Sequence, residues 1–265
     1  MIFFFSGTGN TRWAAETIAA ALGERLINMA KEPAGQTYTL DEQERIGFCF
    51  PVHGWRVPSV VRKFISQLAI EQASGHYCYA LCTAGDTVGE AMRLFEAELQ
   101  AIGLAVQSTC SLLMPESYVG LPFMDVDTPK NELLKKQKAA SDLQSFIRIV
   151  AKRTSGYHHL TLGRWPRTNS RLLGAVFERW LIRDTPFHVV ENRCTRCGRC
   201  AAVCPVEDIE GGPGKLPSWR HNGRCLTCFS CYHHCPKHAI EFGSQTRKKG
   251  QYYFTRNAKK PSAEK

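Results

Sequence analysis

Ile2-Phe3-Phe4-Phe5-Ser6-Gly7-Thr8-Gly9-Asn10-Thr11 decides the fold of the N-terminal part of this 265-residue chain. Residues 2–5 are a short apolar run of the kind buried on both faces of a parallel sheet. The run breaks into a glycine turn and leads into a helical pattern over residues 12–22. A glycine turn feeding a helix N-terminus is an anion site, because free backbone N–H groups point outward and the helix dipole favours negative charge. The hydroxyls of Ser6, Thr8 and Thr11 and the amide of Asn10 let such a loop wrap a phosphate with hydrogen bonds rather than with a lysine. No Gly-Lys-Ser/Thr closes a P-loop, and Gly7-x-Gly9 lacks the third glycine of the dinucleotide fingerprint.

Working outward, strand and helix signals alternate. Residues 25–29, 46–50, 77–82 and 104–113 read as further strands, with helices over 59–70 and 88–102. This alternation predicts an α/β fold, a doubly wound parallel sheet with helices on both faces. Ligands of such sheets sit outside the carboxyl ends of the strands, where the winding direction switches. Three loops leave those ends: residues 6–11, residues 51–57 and residues 83–86.

Ser6, Thr8, Gly9 and Thr11 match the Ser/Thr-x-Thr-Gly-x-Thr phosphate loop of flavodoxins, and the N-terminal part resembles that family. The resemblance implies FMN and a five-stranded sheet in the order 2-1-3-4-5. It also implies that Ser6, Gly7, Thr8, Gly9, Asn10 and Thr11 hold the phosphate. Pro51, His53, Gly54 and Trp55 then flank one side of the flavin ring, with Trp55 packed against it, and Thr83, Ala84, Gly85 and Asp86 meet the ring's other edge. The third loop has no aromatic residue, which leaves a face open for Tyr118 or for the C-terminal part of the chain to cover.

Eight of the twelve cysteines repeat one spacing, C-x2-C-x2-C-x3-C-P: Cys194, Cys197, Cys200 and Cys204, then Cys225, Cys228, Cys231 and Cys235. This run ligates a pair of 4Fe-4S clusters, with the fourth cysteine of each run serving the other cluster. The sets expected are therefore crossed: Cys194, Cys197, Cys200 and Cys235 on one, and Cys225, Cys228, Cys231 and Cys204 on the other. Structural zinc sites use cysteine pairs with longer spacers. Disulfides need an oxidising compartment, for which the N-terminus offers no secretion signal, so a cytoplasmic protein is expected. The tails Pro205-Val206-Glu207-Asp208-Ile209 and Pro236-Lys237-His238-Ala239-Ile240 extend the repeat, which resembles small clostridial-type ferredoxins, an α+β fold. Trp219, between the runs, is expected near a cluster. His233 and His234 read as packed or loop residues, and Cys49, Cys78, Cys82 and Cys110 as buried hydrophobes in strands.

The domain reading is residues 1–153 for the FMN-binding unit, 154–187 for a basic helical linker, 188–243 for the ferredoxin unit and 244–265 for a basic, solvated tail. Residues 1–129 hold 8 basic and 14 acidic side chains, whereas 130–187 hold 12 and 4, and 188–265 hold 14 and 6. The formal charge of +10 falls to about +4 to +5 once two clusters, each about −2, and a phosphate are counted. Much of the basic excess thus offsets cofactors, and no nucleic-acid recognition module accompanies it. Apolar Leu172, Leu173, Val176, Phe177, Trp180 and Leu181 form a helical stripe in a basic frame, expected to pack between domains rather than on a membrane surface. No apolar run reaches the length of a membrane span, and the pattern sets no oligomeric state.

The whole chain resembles fused flavodoxin–ferredoxin proteins. The resemblance implies electron transfer between FMN and two 4Fe-4S clusters and on to a redox partner protein. Reduction of a small organic acceptor at FMN is the alternative, for which His53 and Tyr118 are the candidate acids.

Overall fold

A computed structural model describes residues 1–256; residues 257–265, the end of the expected tail, lie outside the described residues. A wholly parallel six-stranded sheet organises the N-terminal part. Its strands run Leu26–Asn28, Ile2–Phe4, Ile46–Pro51, Cys78–Ala84, Ser108–Leu113 and Tyr157–His159 across the sheet. The first five keep the expected order 2-1-3-4-5. The sixth, from a stretch with no hydropathy period, corrects the five-stranded expectation. Tyr157–His159 is a half-exposed edge whose pairing is fixed from its neighbour: Gly156 N donates to Gln107 O at 2.9 Å, Thr109 Oγ1 lies 2.9 Å from His158 Nδ1, and Thr161 N donates to Ser111 Oγ at 2.8 Å. Short edge strands need little apolar side chain, so hydropathy cannot find them.

Alternation along the central strands builds a core on each face. Phe3, Phe5, Phe48 and Phe50 meet Met92, Phe95 and Leu99 of the helix Ala91–Ala101 on one side. Ile2, Phe4, Tyr79, Leu81 and Leu112 meet Ala14, Ala15 and Ile18 of Asn10–Leu22 and Leu143, Phe146 and Val150 of Pro129–Ala151 on the other. The alanines of Asn10–Leu22 let that helix lie close above the sheet, which brings its N-terminus to the end of the first strand. Cys49, Cys78, Cys82 and Cys110 are buried within these two cores. The last helix begins where Thr128 Oγ1 accepts from Asn131 N at 3.3 Å and Pro129 occupies the first turn.

The C-terminal unit is a small α+β body. Phe187–Val189 pairs antiparallel with Ile240–Phe242, and Ile209–Gly212 pairs antiparallel with Lys215–Trp219. Phe187, Trp219, Phe229, Tyr232 and Phe242 form its core, with Trp219 stacked on Phe187 at 5.6 Å between centroids. No helix among the described residues is long and apolar enough to cross a membrane.

Two expectations about the connecting segments are overturned in part. Of the stripe of residues 171–183, Phe177 packs toward the space between the units, but Leu172, Leu173, Val176 and Trp180 are exposed, and the helix rests on Ser170, Gly174 and Phe177. Not all residues after 244 are solvated. Arg247 and Lys248 are exposed, but Lys249 Nζ donates to Val119 O at 3.0 Å, Gly250 N to Asp125 Oδ1 at 2.9 Å, and Tyr252 is buried.

Candidate functional site

The three loops at the carboxyl ends of the strands open into one cleft, with about 1150 Å³ of empty space partly open to solvent. Every residue expected to contact the flavin cofactor lines it except Gly9. Gly9 turns away at a φ of 99°, a left-handed conformation that glycine adopts without strain, and faces Phe254. Behind that turn the amides of Thr8, Asn10 and Thr11 meet no protein acceptor among the described residues, while Trp13 N closes the first helical bond to Gly9 O at 2.9 Å. This is the free N–H array that a phosphate requires.

The loop's polar side chains mainly shape it. Ser6 Oγ accepts from Gly9 N at 3.2 Å, and Thr11 Oγ1 meets Thr83 Oγ1 at 2.7 Å, tying the first loop to the third. Asn10 Nδ2 donates to Pro115 O at 3.2 Å and its Oδ1 accepts from Tyr252 O–H at 2.6 Å. The amide expected to contact phosphate is thus engaged in holding three segments together. Phe254 N donates to Thr8 O at 2.9 Å, and the Phe254 ring stacks on Trp13 at 5.0 Å, so the C-terminal strand of chain is strapped across the outside of the phosphate loop.

The second loop reverses tightly. His53 and Arg56 exchange both backbone hydrogen bonds, at 3.0 and 3.1 Å, around Gly54 (φ 53°) and Trp55 (φ 59°), the two left-handed positions of a type I′ turn. Trp55 Nε1 donates to Thr87 Oγ1 at 3.0 Å, which ties the indole to the residue after the third loop, and both line the cleft. Phe177 from the linker packs over Gly54 so closely that a β-carbon there would collide with its ring. The third loop is held from outside: Lys135 Nζ donates to Gly85 O at 2.8 Å and to Asp127 Oδ2 at 2.7 Å, and Asp127 Oδ2 also accepts from Glu116 N at 2.7 Å.

Neither candidate acid is poised for proton transfer near pH 7. Burial lowers His53 to about 4, so it is neutral, and raises the Tyr118 phenol to about 12. Tyr118 instead stands between the units, its ring 5.1 Å from Phe177 and 5.3 Å from Phe229.

The cysteine runs repeat at the level of backbone conformation. In the first, Arg196, Gly198 and Glu207 take φ of 53°, 74° and 56°; in the second, Thr227, Phe229 and His238 take 47°, 57° and 51°. The N–H···S bonds repeat likewise. Arg196 N and Thr227 N donate to Cys194 and Cys225 Sγ, both at 3.4 Å, while Asp208 N and Ala239 N donate to Cys204 and Cys235 Sγ at 3.3 and 3.1 Å. Such bonds favour the thiolate and tune iron–sulfur potentials.

Cys194, Cys197, Cys200 and Cys235 together line a cavity of about 380 Å³ of empty space. Among the described residues no three cysteine, histidine or carboxylate side chains converge as ligands of one metal ion. Four thiols spread around a cavity suit a polynuclear group better than a single zinc, whose ligands must meet at about 2.3 Å from one point. Cys231 is buried beside Cys228, Cys225 and Cys204, and desolvation first, then the proximity of those thiols, raises its own thiol well above the usual range. Burial lifts Cys228 to about 12 and Cys200 to about 11. Metal binding to these thiols must release their protons.

Residues 1–102 match the family described as flavodoxin domain, and residues 188–236 match the 4Fe-4S dicluster domain. The chain is a flavodoxin–ferredoxin fusion. The fusion is similar to a ferredoxin of Thermoanaerobacterium thermosaccharolyticum, 54% identical over 28 residues, 11% of this chain and 51% of that protein. It thus spans about half the length of the curated relative it matches. Among solved structures it is similar to an FMN-dependent NADH-azoreductase from Bacillus anthracis in complex with FMN, at 8% identity and a TM-score of 0.38, covering 57% of this chain and 98% of that one. It is similar also to azoreductase AzrA, at 12% identity and a TM-score of 0.36, covering 57% and 99%.

Several residues of this site escape sequence reasoning. Leu226, Thr227 and Cys228 of the second cysteine run form a wall of the flavodoxin cleft. The Cβ of Cys228 lies 3.0 Å from where a side chain on Gly7 would begin, so this close approach needs a glycine in the phosphate loop. His233 is fully engaged: Nε2 donates to Ser117 O at 2.7 Å and Nδ1 accepts from Tyr252 N at 3.1 Å, a pairing that requires the neutral ring. Burial lowers His233 to about 3. Its only sequence signal is its place inside a ligand run, which says nothing of the loop it meets.

Proposed function

We propose that the fusion passes single electrons between one FMN and two 4Fe-4S clusters and on to a cytoplasmic redox partner. Cys225, Cys228, Cys231 and Cys204 hold the cluster beside the flavin, and Cys194, Cys197, Cys200 and Cys235 hold the outer one. The clusters supply one-electron steps and the flavin accepts one or two electrons, so their union collects electrons into pairs or releases them singly. The observation that carries this reading is the packing of Cys228 against Gly7 of the phosphate loop, with the same cysteine forming part of the cleft wall.

The surrounding residues support it. Phe177, Tyr118 and Phe229 fill the space between the units and exclude water from the path. His233 bridges the second cysteine run to the loop at Ser117 and to the C-terminal strap, which sets the spacing of the two redox sites. In this reading the flavodoxin-like unit is residues 1–153 extended by the strand at 157–159, and the ferredoxin unit is residues 188–243. Ser6, Thr8 and the free amides of the first loop hold the phosphate, while Pro51, His53, Gly54, Trp55 and the third loop bracket the ring.

A second reading, reduction of a small organic acceptor at FMN, is favoured by the part of the cleft open to solvent. An anaerobic spectroscopic redox titration tests the first reading: sulfide-to-iron and flavin bands both bleach reversibly, and electrons redistribute between them. Bleaching of one chromophore with no exchange to the other overturns it. Steady turnover of a defined acceptor without a protein partner selects the second.

A further inference from the structure

The helical segment of residues 166–181 presents an apolar face that nothing in the described chain covers. Leu172, Val176 and Trp180 are 60%, 47% and 62% exposed, and Trp165 just before the helix is 61% exposed. Its opposite side is anchored: Glu90 N donates to Ser170 Oγ at 2.7 Å, Gly174 lies on the backbone of Gly54, and Glu178 pairs with Arg56 at 2.8 Å. The apolar face is therefore held outward by packing on the cleft loop and is not a surface awaiting its own domain.

Charge selects the occupant. Arg164, Arg167, Arg179 and Arg183 make no ion pair among the described residues, and the one carboxylate on the helix, half-buried Glu178, is neutralised by Arg56 and Arg62. The Arg164 guanidinium lies 5.3 Å from the Trp165 ring and that of Arg179 5.7 Å from Trp180. Tryptophans at both ends, leucine and valine between them, and unpaired arginines along the flanks are the pattern of a helix lying in the headgroup region of a bilayer.

We propose that residues 165–181 dock this protein on the surface of an anionic membrane, with Leu172, Leu173, Val176 and Trp180 in the acyl boundary and the arginines on lipid phosphates. The segment lies on the surface without crossing it. Because Phe177 of the same helix covers Gly54 of the cleft, docking sets the cleft at a fixed height above the lipid.

The test is co-sedimentation of the cofactor-loaded full chain with vesicles of phosphatidylcholine alone or mixed with phosphatidylglycerol. Binding is expected only with phosphatidylglycerol present and is expected to weaken in high salt. Replacing Arg164, Arg167, Arg179 and Arg183 with Gln should weaken it by at least about a hundredfold, and Trp180→Glu should abolish it with FMN and iron contents unchanged. Equal binding to neutral vesicles, or binding untouched by both variants, overturns the proposal. So does a wild-type dimer in solution that Trp180→Glu converts to a monomer while vesicles are ignored, since a second copy would then be the occupant.

Discussion

The two cysteine runs have the same ligand spacing, the same left-handed positions and the same N–H···S bonds, yet they stand in opposite surroundings. In the first, Cys197 is exposed and Gly198 lies against the backbone of Gly212 and Pro213. In the second, Cys231 and Phe229 are buried and Cys228 touches the flavodoxin loop. The repeat is one of thiol spacing and backbone conformation, and what differs between the copies is the surface each one meets. One run faces solvent; the other faces the cleft at the ends of the sheet strands.

Breaking ligands gives the largest effects. Cys200→Ala and Cys235→Ala should each remove about four irons and leave identical residual spectra, while Cys204→Ala should match Cys228→Ala. Only the second pair should disconnect the flavin from cluster reduction. Matching spectra for Cys200→Ala and Cys204→Ala would sink the crossed assignment and, with it, the contrast between an outer and an inner site.

The left-handed positions sharpen the comparison next. At Gly198 an added methyl meets backbone at 2.8 Å, so Gly198→Ala should cost about 2–4 kcal/mol in chemical unfolding. Phe229 accepts the same conformation because its ring packs on Phe187 and Phe242, at 5.2 and 5.1 Å. Phe229→Ala should therefore cost about 3–5 kcal/mol, and Phe229→Gly about 1 kcal/mol less than the larger cavity implies, because glycine relieves the backbone. A Gly variant no better than Ala would show that the strain at this position is negligible.

These positions also mark how far sequence could lead. The strand-loop-helix at residues 2–22 and the two cysteine runs were legible because local chemistry demands them: glycine at a turn, free amides at a helix start, thiols at fixed spacing. Contacts between the units were not legible. Nothing in Gly7 announces Cys228, and nothing in Asn10 announces Tyr252, since both depend on how two folded bodies meet. The exposed stripe around Trp180 misled for a related reason: amphipathicity reports that a helix has two faces but not which one its own chain will cover. Tyr157–His159 escaped because an edge strand is specified by its neighbour's hydrogen bonds more than by its own side chains.

The C-terminal strap offers a smaller test. Tyr252→Phe removes the donor to Asn10 and should weaken FMN binding by about 1 kcal/mol, roughly fivefold in Kd. Unchanged affinity would mean that the strap does not steady the phosphate loop. The last test is of pH dependence. The folded protein holds His53 neutral down to about pH 4, whereas the unfolded chain takes up that proton near 6.5. Stability should thus be full above pH 6.5, fall as pH drops toward 4 and level off below, and His53→Gln should flatten this part of the profile of Tm against pH. A profile that keeps its slope would assign the loss to other groups.

The central claim is that inorganic clusters and an organic ring share this one chain. Anaerobic purification followed by iron, acid-labile sulfide and FMN quantification tests it most directly. About eight irons and one FMN per chain are predicted; zinc on the cysteines, or protein lacking flavin after reconstitution with FMN, would contradict it.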